Sequence, residues 1–155
     1  AIVLSLAAQK PQHIYFASDE SIEALELACS NARRHNLSEK IRFFASDWMT
    51  SLDPTKEGFD MIVSNPPYIP SRVIGKLQPE IHRFEPIAAL DGDQDGLACF
   101  RKIIGSAHHY LKPQGMLLLE IGRSGLRGQD VRARRGRTRI SSERVSALYR
   151  RRTWR

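Results

Sequence analysis

"FDMIVSNPPYIP", residues 59–70, decides how this chain is read. The first six residues are mostly apolar and read as a buried strand. The strand runs into Asn65, then two prolines and an aromatic. A residue before proline is pushed out of helical geometry, and proline presents a carbonyl with no N–H of its own. Asn65 and a neighbouring carbonyl therefore offer two oxygen acceptors side by side. A planar –NH₂ group has two donors to match them, and Tyr68 adds an aromatic face on which a flat amide or base can stack. The bland alternative is a rigid turn that ends a strand; the apolar run before it and Tyr68 after it favour a site.

Working outward, the chain alternates strands with helices. "AIVLSLAAQK" (1–10) reads as a helix and "HIYFAS" (13–18) as a strand ending at Asp19. Over 21–36, Ile22, Leu25, Ala28, Cys29 and Ala32 recur at helical spacing, with Ser21 as N-cap and Glu23 near the positive helix end. "KIRFFAS" (40–46) is a second strand, ending at Asp47-Trp48, and 59–65 a third. A Pro-rich loop follows, then a helix over 96–111 capped by Asp95, a turn at "KPQG" (112–115), and a strand "MLLLEI" (116–121) apolar enough to be buried on both faces. This alternation predicts an α/β fold with a parallel sheet, in which ligands gather at the carboxyl ends of the strands. Asp19, Asp47-Trp48, Asn65 and Glu120 all fall there.

Charge divides the chain near Gly122. Residues 1–122 hold 12 Lys+Arg against 15 Asp+Glu, a net of −3, whereas 123–155 hold 12 Arg, no Lys and two acids, a net of +10. No apolar run approaches the roughly 20 residues of a membrane span, and no basic region precedes the apolar start as it would in a signal peptide. Cys29 and Cys99 fit no metal spacing and read as buried thiols of a cytoplasmic protein. Asp91, Asp93 and Asp95 have the spacing of a calcium loop, but position 102 is Lys where such a loop needs Glu, so a turn is expected and no metal. His108 and His109 are expected to face solvent at a helix end.

Asn65-Pro66-Pro67-Tyr68 resembles the motif of S-adenosylmethionine-dependent methyltransferases that modify planar amino groups, among them DNA adenine methyltransferases and the HemK/PrmC protein-glutamine methyltransferases. "FEPIAALDGDQDGLACFRKII" (84–104) resembles the Glu-Pro-x-x-Ala-Leu-x-Gly-x-x-Asp-Gly-Leu segment of the glutamine-methylating family, and "SDWM" (46–49) and "LKPQGMLLLEIG" (111–122) match it too. The resemblance implies a Rossmann-like class I methyltransferase fold and methyl transfer to a glutamine of a peptide chain release factor. It implies that Asp19 holds the cofactor's ribose hydroxyls, that Trp48 and Asp47 serve the adenine, and that Asn65, Pro66, Pro67 and Tyr68 form the substrate clamp, with Asn65 also touching the cofactor.

Relative to that family the expected fold is incomplete. Its first strand and Gly-x-Gly-x-Gly loop would lie before Ala1, so unpaired inner edges are expected beside the strands that end at Asp19 and Asn65, and weak cofactor binding by these residues alone. The expected organisation is a partial catalytic domain over 1–122 and an Arg-rich tail over 123–155 in place of the family's helix and final hairpin. The tail admits three readings: a basic segment contacting nucleic acid through phosphates, a solvated extension, or out-of-frame translation, which the abrupt loss of Lys favours. Two other functions stand beside glutamine methylation: adenine-N6 methylation of nucleic acid, against which the −3 body argues, and non-catalytic nucleic-acid binding through the tail.

Overall fold

The computed structural model describes residues 2–56, 58–121 and the pair 139–140. The chain divides into two compact units, Ala1–Asp53 and Pro54–Arg155.

The first unit is a helix followed by a strand–helix–strand crossover: α1 (Ile2–Gln9), β1 (Tyr15–Asp19), α2 (Ile22–Arg34) and β2 (Ile41–Ala45). The two strands are parallel, with Tyr15 opposite Ile41 and Asp19 opposite Ala45. Period-two alternation sends Tyr15, Ala17, Ile41 and Phe43 to one face. There they meet Ala7, Ala32 and Leu37, with Val3 and Leu4 packed alongside. Each large aliphatic side chain buried this way contributes about 1.5–3 kcal/mol. The Tyr15 hydroxyl lies 3.1 Å from the Leu6 carbonyl and 2.9 Å from that of Lys10, so it satisfies the end of α1, where carbonyls run out of helical partners. Phe16, on the other face, is exposed.

Ser21 caps α2 as the sequence predicts: its hydroxyl accepts the Ala24 N–H at 3.0 Å and donates to Glu23 at 2.8 Å. Glu23's own backbone N–H, and then the Ser21 hydroxyl, hold its carboxyl below the ordinary value. The predicted stripe needs one correction. Ile22 is 53% exposed, because it sits in the first turn at the margin of the stripe, while Ala32 is fully covered.

The second unit opens with β3 (Phe59–Ser64), passes through α3 (Ser71–Ile74), α4 (Pro79–Phe84), α5 (Ile87–Leu90) and α6 (Ala98–Ala107), and returns along β4 (Leu111–Leu119). The three short helices fall where the sequence reads as loop. Pro70 and Pro86 stand at N-caps and Pro79 at the first helical position, so these prolines start helices, where their missing N–H costs nothing. Helix α6 is shorter than expected. Its N-cap is Leu97, and Asp95, two residues earlier, accepts the Leu97 N–H at 3.0 Å. Leu97, Phe100, Ile103, Ile104 and Ala107 make its buried stripe. His108 and His109 are exposed beyond its end.

β4 runs parallel to β3, and the expected turn at 112–115 proves to be part of it. Phe59 faces Leu111, yet Met61 faces Met116, so one residue of β3 stands against four of β4. Gln114 takes a left-handed φ of 68° in this bulge, and Lys112 reaches Asp60 at 2.9 Å across it. The turn-like composition was therefore physical, though it bends a strand rather than separating two elements. Beyond the bulge only alternate residues, Leu117, Leu119 and Ile121, are buried. Met116 and Leu118 are half-buried, which corrects the expectation of burial on both faces. Cys29 and Cys99 are likewise half-buried, not buried.

The strands form two sheets, β1-β2 and β3-β4-β5, the last strand being Arg139–Ile140 parallel to β4. Among the described residues no strand pairs with the second edge of β1 or of β3. Apart from Arg139 and Ile140, the tail expected over 123–155 lies outside the described residues. No described helix is long and apolar enough to cross a membrane.

Candidate active site

The candidate residues fall in two sets, one in each unit. In the first unit, β1 ends on Asp19, whose carbonyl accepts the Ser46 N–H at 3.0 Å. The residue after Ser46 begins a tight corner. The Asp47 carbonyl accepts from the Thr50 N–H at 3.1 Å and the Thr50 hydroxyl at 2.8 Å, and the buried Ser46 hydroxyl accepts the Ser51 N–H at 3.1 Å. The corner is needed because Trp48 takes a φ of +53°. For a bulky non-glycine residue that conformation is an outlier, held only where surrounding bonds over-determine it, and such strain clusters at ligand sites. One of those bonds comes from β1: the Ser18 hydroxyl donates to the Trp48 carbonyl at 3.4 Å. Asp19, Asp47 and Trp48 thus share one end of the β1–β2 pair. Both aspartates are exposed and Trp48 is half-buried, so it is no core tryptophan. Asp19 directs one carboxylate oxygen to the Ser21 N–H at 3.0 Å, which fixes the side chain against the start of α2.

In the second unit β3 stops at Ser64 and Asn65 follows, exposed, with Pro66 completely buried and Pro67 and Tyr68 half-buried. A buried proline beside an exposed asparagine anchors the corner while its polar neighbour faces outward. Downstream the chain is held by the 90–96 loop. The Ile69 N–H donates to Leu90 O at 3.0 Å, the Gly92 N–H to Ile69 O at 2.9 Å, and the Ser71 N–H to Asp93 O at 3.1 Å. The three loop aspartates turn to protein donors: Asp91 to the Ser71 hydroxyl and the Asp93 N–H, Asp93 to the Gln94 N–H, and Asp95 to the Leu97 N–H and Arg101. This is the turn the sequence predicted. No described group of three or more His, Cys, Asp or Glu can hold a metal ion.

Sequence reasoning placed the carboxylates, Trp48 and the Asn-Pro-Pro-Tyr corner but missed Ser18 and Ser46, which fasten the Trp48 corner, and Ser71, which joins the two loops. Serines carry no periodic signal, and Ser71 meets a partner 20 residues away.

A family model described as the methyltransferase small domain matches residues 1–77. Over 121 residues the chain is 42% identical to a release factor glutamine methyltransferase of Thermosynechococcus vestitus, 43% to one of Gloeobacter violaceus and 41% to one of Caulobacter vibrioides. The chain is thus similar to the HemK/PrmC methyltransferases. Those matches cover 78% of this chain and 42%, 42% and 41% of the three relatives. The matched domain gives the fold class, a class I methyltransferase fold present in part, and each unit has the parallel strands and crossover helices of that class. The matched residues 1–77 include Asp19, Asp47, Trp48 and Asn65–Tyr68.

Proposed function

We propose that this chain supplies part of an enzyme that methylates the side-chain amide nitrogen of a glutamine in a peptide chain release factor, in the cytoplasm. The residues fit S-adenosylmethionine by their acceptor and stacking chemistry. An exposed, oriented Asp19 carboxylate suits a ribose diol, Asp47 suits an exocyclic amine, and the strained, half-buried Trp48 suits a flat base. When bound, the cofactor supplies an electrophilic methyl on a sulfonium. Residues 1–122 form the catalytic part and 123–155 an Arg-rich tail.

What carries the reading is Asn65 exposed at the end of β3 on a corner whose Pro66 is completely buried. An amide nitrogen is a poor nucleophile because its lone pair is delocalised into the carbonyl. The chain's task is therefore to orient it. Asn65 Oδ1 and a carbonyl of the proline pair accept the two N–H groups, and Tyr68 covers the amide plane. Orientation of this kind is worth up to roughly 7–11 kcal/mol in well-aligned systems. As positive charge grows on the nitrogen the same acceptors hold it more strongly, which lowers the barrier selectively. The −3 charge of residues 1–122 suits a protein substrate better than a nucleic-acid backbone. Nucleic acid would contact the protein only through the Arg-rich tail.

The test is transfer of a radiolabelled methyl group from S-adenosylmethionine by the full-length protein to purified release factor, with adenine-containing DNA in parallel. Label on the protein alone supports the reading, and label on DNA alone overturns it. A salt-sensitive gel shift that disappears on deleting 123–155 would assign the tail to nucleic acid.

A further inference from the structure

We propose that the Asp91–Gly96 loop is a positioning brace that sets the backbone of Tyr68–Ser71, and through it the acceptors of the Asn65–Tyr68 corner. The inference rests on the reading that this corner grips the substrate amide.

Residues 65–70 contain three prolines, Pro66, Pro67 and Pro70. Half of the segment therefore has no N–H with which to join a ladder. A corner that must hold two acceptors in place has to be pinned by its few remaining donors and by contacts from outside. The structure uses both. Ile69 gives its N–H to Leu90 and takes one from Gly92, and Ser71 gives its N–H to Asp93. One oxygen of Asp91 accepts the Ser71 hydroxyl and the Asp93 N–H, both at 2.8 Å, so a single carboxylate ties the corner to the loop and the loop to itself. Arg72 adds a bond to the Gln94 carbonyl at 3.2 Å.

Contact supplies the rest. A Cβ on Gly96 would stand 2.5 Å from the Tyr68 carbonyl oxygen, and one on Gly92 would stand 2.8 Å from the Tyr68 Cα. Both neighbours are backbone and cannot swing aside. The loop thus presses main chain on main chain at the residue that closes the Pro-Pro-Tyr corner. Gly96 also has a φ of +77°, so its lack of a side chain answers two demands at once. Because a misplacement of about 1 Å at a reacting centre costs roughly 10²-fold in rate, a side chain here should act chiefly on turnover, since Asp19, Asp47 and Trp48 lie in the other unit.

Two pairs of variants in the full-length protein test this. Asn at 91 keeps an oxygen able to accept both bonds, so Asp91→Asn should stay close to wild type while Asp91→Ala loses about tenfold in kcat/KM for release factor. Asn tolerates positive φ but still carries a Cβ, so Gly96→Asn and Gly96→Ala should both lose about 10²-fold. S-adenosylmethionine affinity, which rests mainly on Asp19, Asp47 and Trp48, should change far less than turnover in all four. Amide hydrogen exchange at Ile69 and Ser71 should rise in Asp91→Ala and not in Asp91→Asn, a readout independent of activity. Equal exchange in Asp91→Ala and wild type overturns the brace, as does an Asp91→Asn as damaged as Asp91→Ala or a Gly96→Asn that restores turnover. An inactive wild-type protein overturns the proposed function instead, and the exchange contrast still decides the brace.

Discussion

The Glu120 N–H donates to the Ser64 carbonyl at 3.0 Å, so β3 and β4 finish level and Asn65 is the first residue beyond their ladder. Its side chain is thereby carried on rigid structure yet left exposed. Asn65→Ala should leave the thermal midpoint within about 1 °C, since exposed substitutions away from structural features are nearly neutral. Turnover should fall about 10²–10³-fold, by analogy with the loss of one preorganised polar group. Steady-state kinetics and calorimetry on the same preparation check both halves.

Trp48 carries a left-handed backbone that glycine adopts without strain. Trp48→Gly should accordingly cost little stability. It should weaken S-adenosylmethionine binding about tenfold or more, the usual scale for losing an aromatic stacked on a base. A titration of full-length protein measures the affinity; a variant that binds as well as wild type removes Trp48 from the cofactor site.

Ser21 is the cap of α2, and its hydroxyl serves both the Ala24 N–H and Glu23. Ser21→Ala should destabilise the protein by about 1 kcal/mol, and Ser21→Asp, which keeps an acceptor at the cap, should recover most of it. Denaturant midpoints report the difference.

Asp95 binds the start of α6. The Arg101 guanidinium, and after it the Leu97 N–H, hold its carboxyl below the ordinary aspartate value. A depressed pKa means the contribution to stability is complete above the unfolded value and fades as pH falls through the lower folded one. Asp95→Asn should thus be less stable than wild type at neutral pH, and the gap should close in acid. A gap that persists unchanged into strong acid contradicts this origin.

Much of the fold was legible because its signals are local. Apolar runs marked β1, β2 and β3, and Ser21 marked the start of α2. Short helices α3 to α5 were not, since prolines that break one element can equally begin another. The bulge in β4 was hidden because Gln114 needs its partner strand to show why a turn-like sequence belongs to a sheet. In the site, strand ends announced Asp19, Asp47, Trp48 and Asn65. The brace gave no such notice: Ser71 meets Asp91, and Gly96 meets Tyr68, across more than 19 residues of chain.

The central claim is that the Asn65 corner directs a methyl group to a glutamine amide. Mass spectrometry of release factor treated with full-length protein and S-adenosylmethionine tests it most directly. The account predicts one added methyl on a glutamine side-chain nitrogen, formed by wild type and nearly absent with Asn65→Ala. A methyl found on another residue type, or formed equally well by Asn65→Ala, would contradict it.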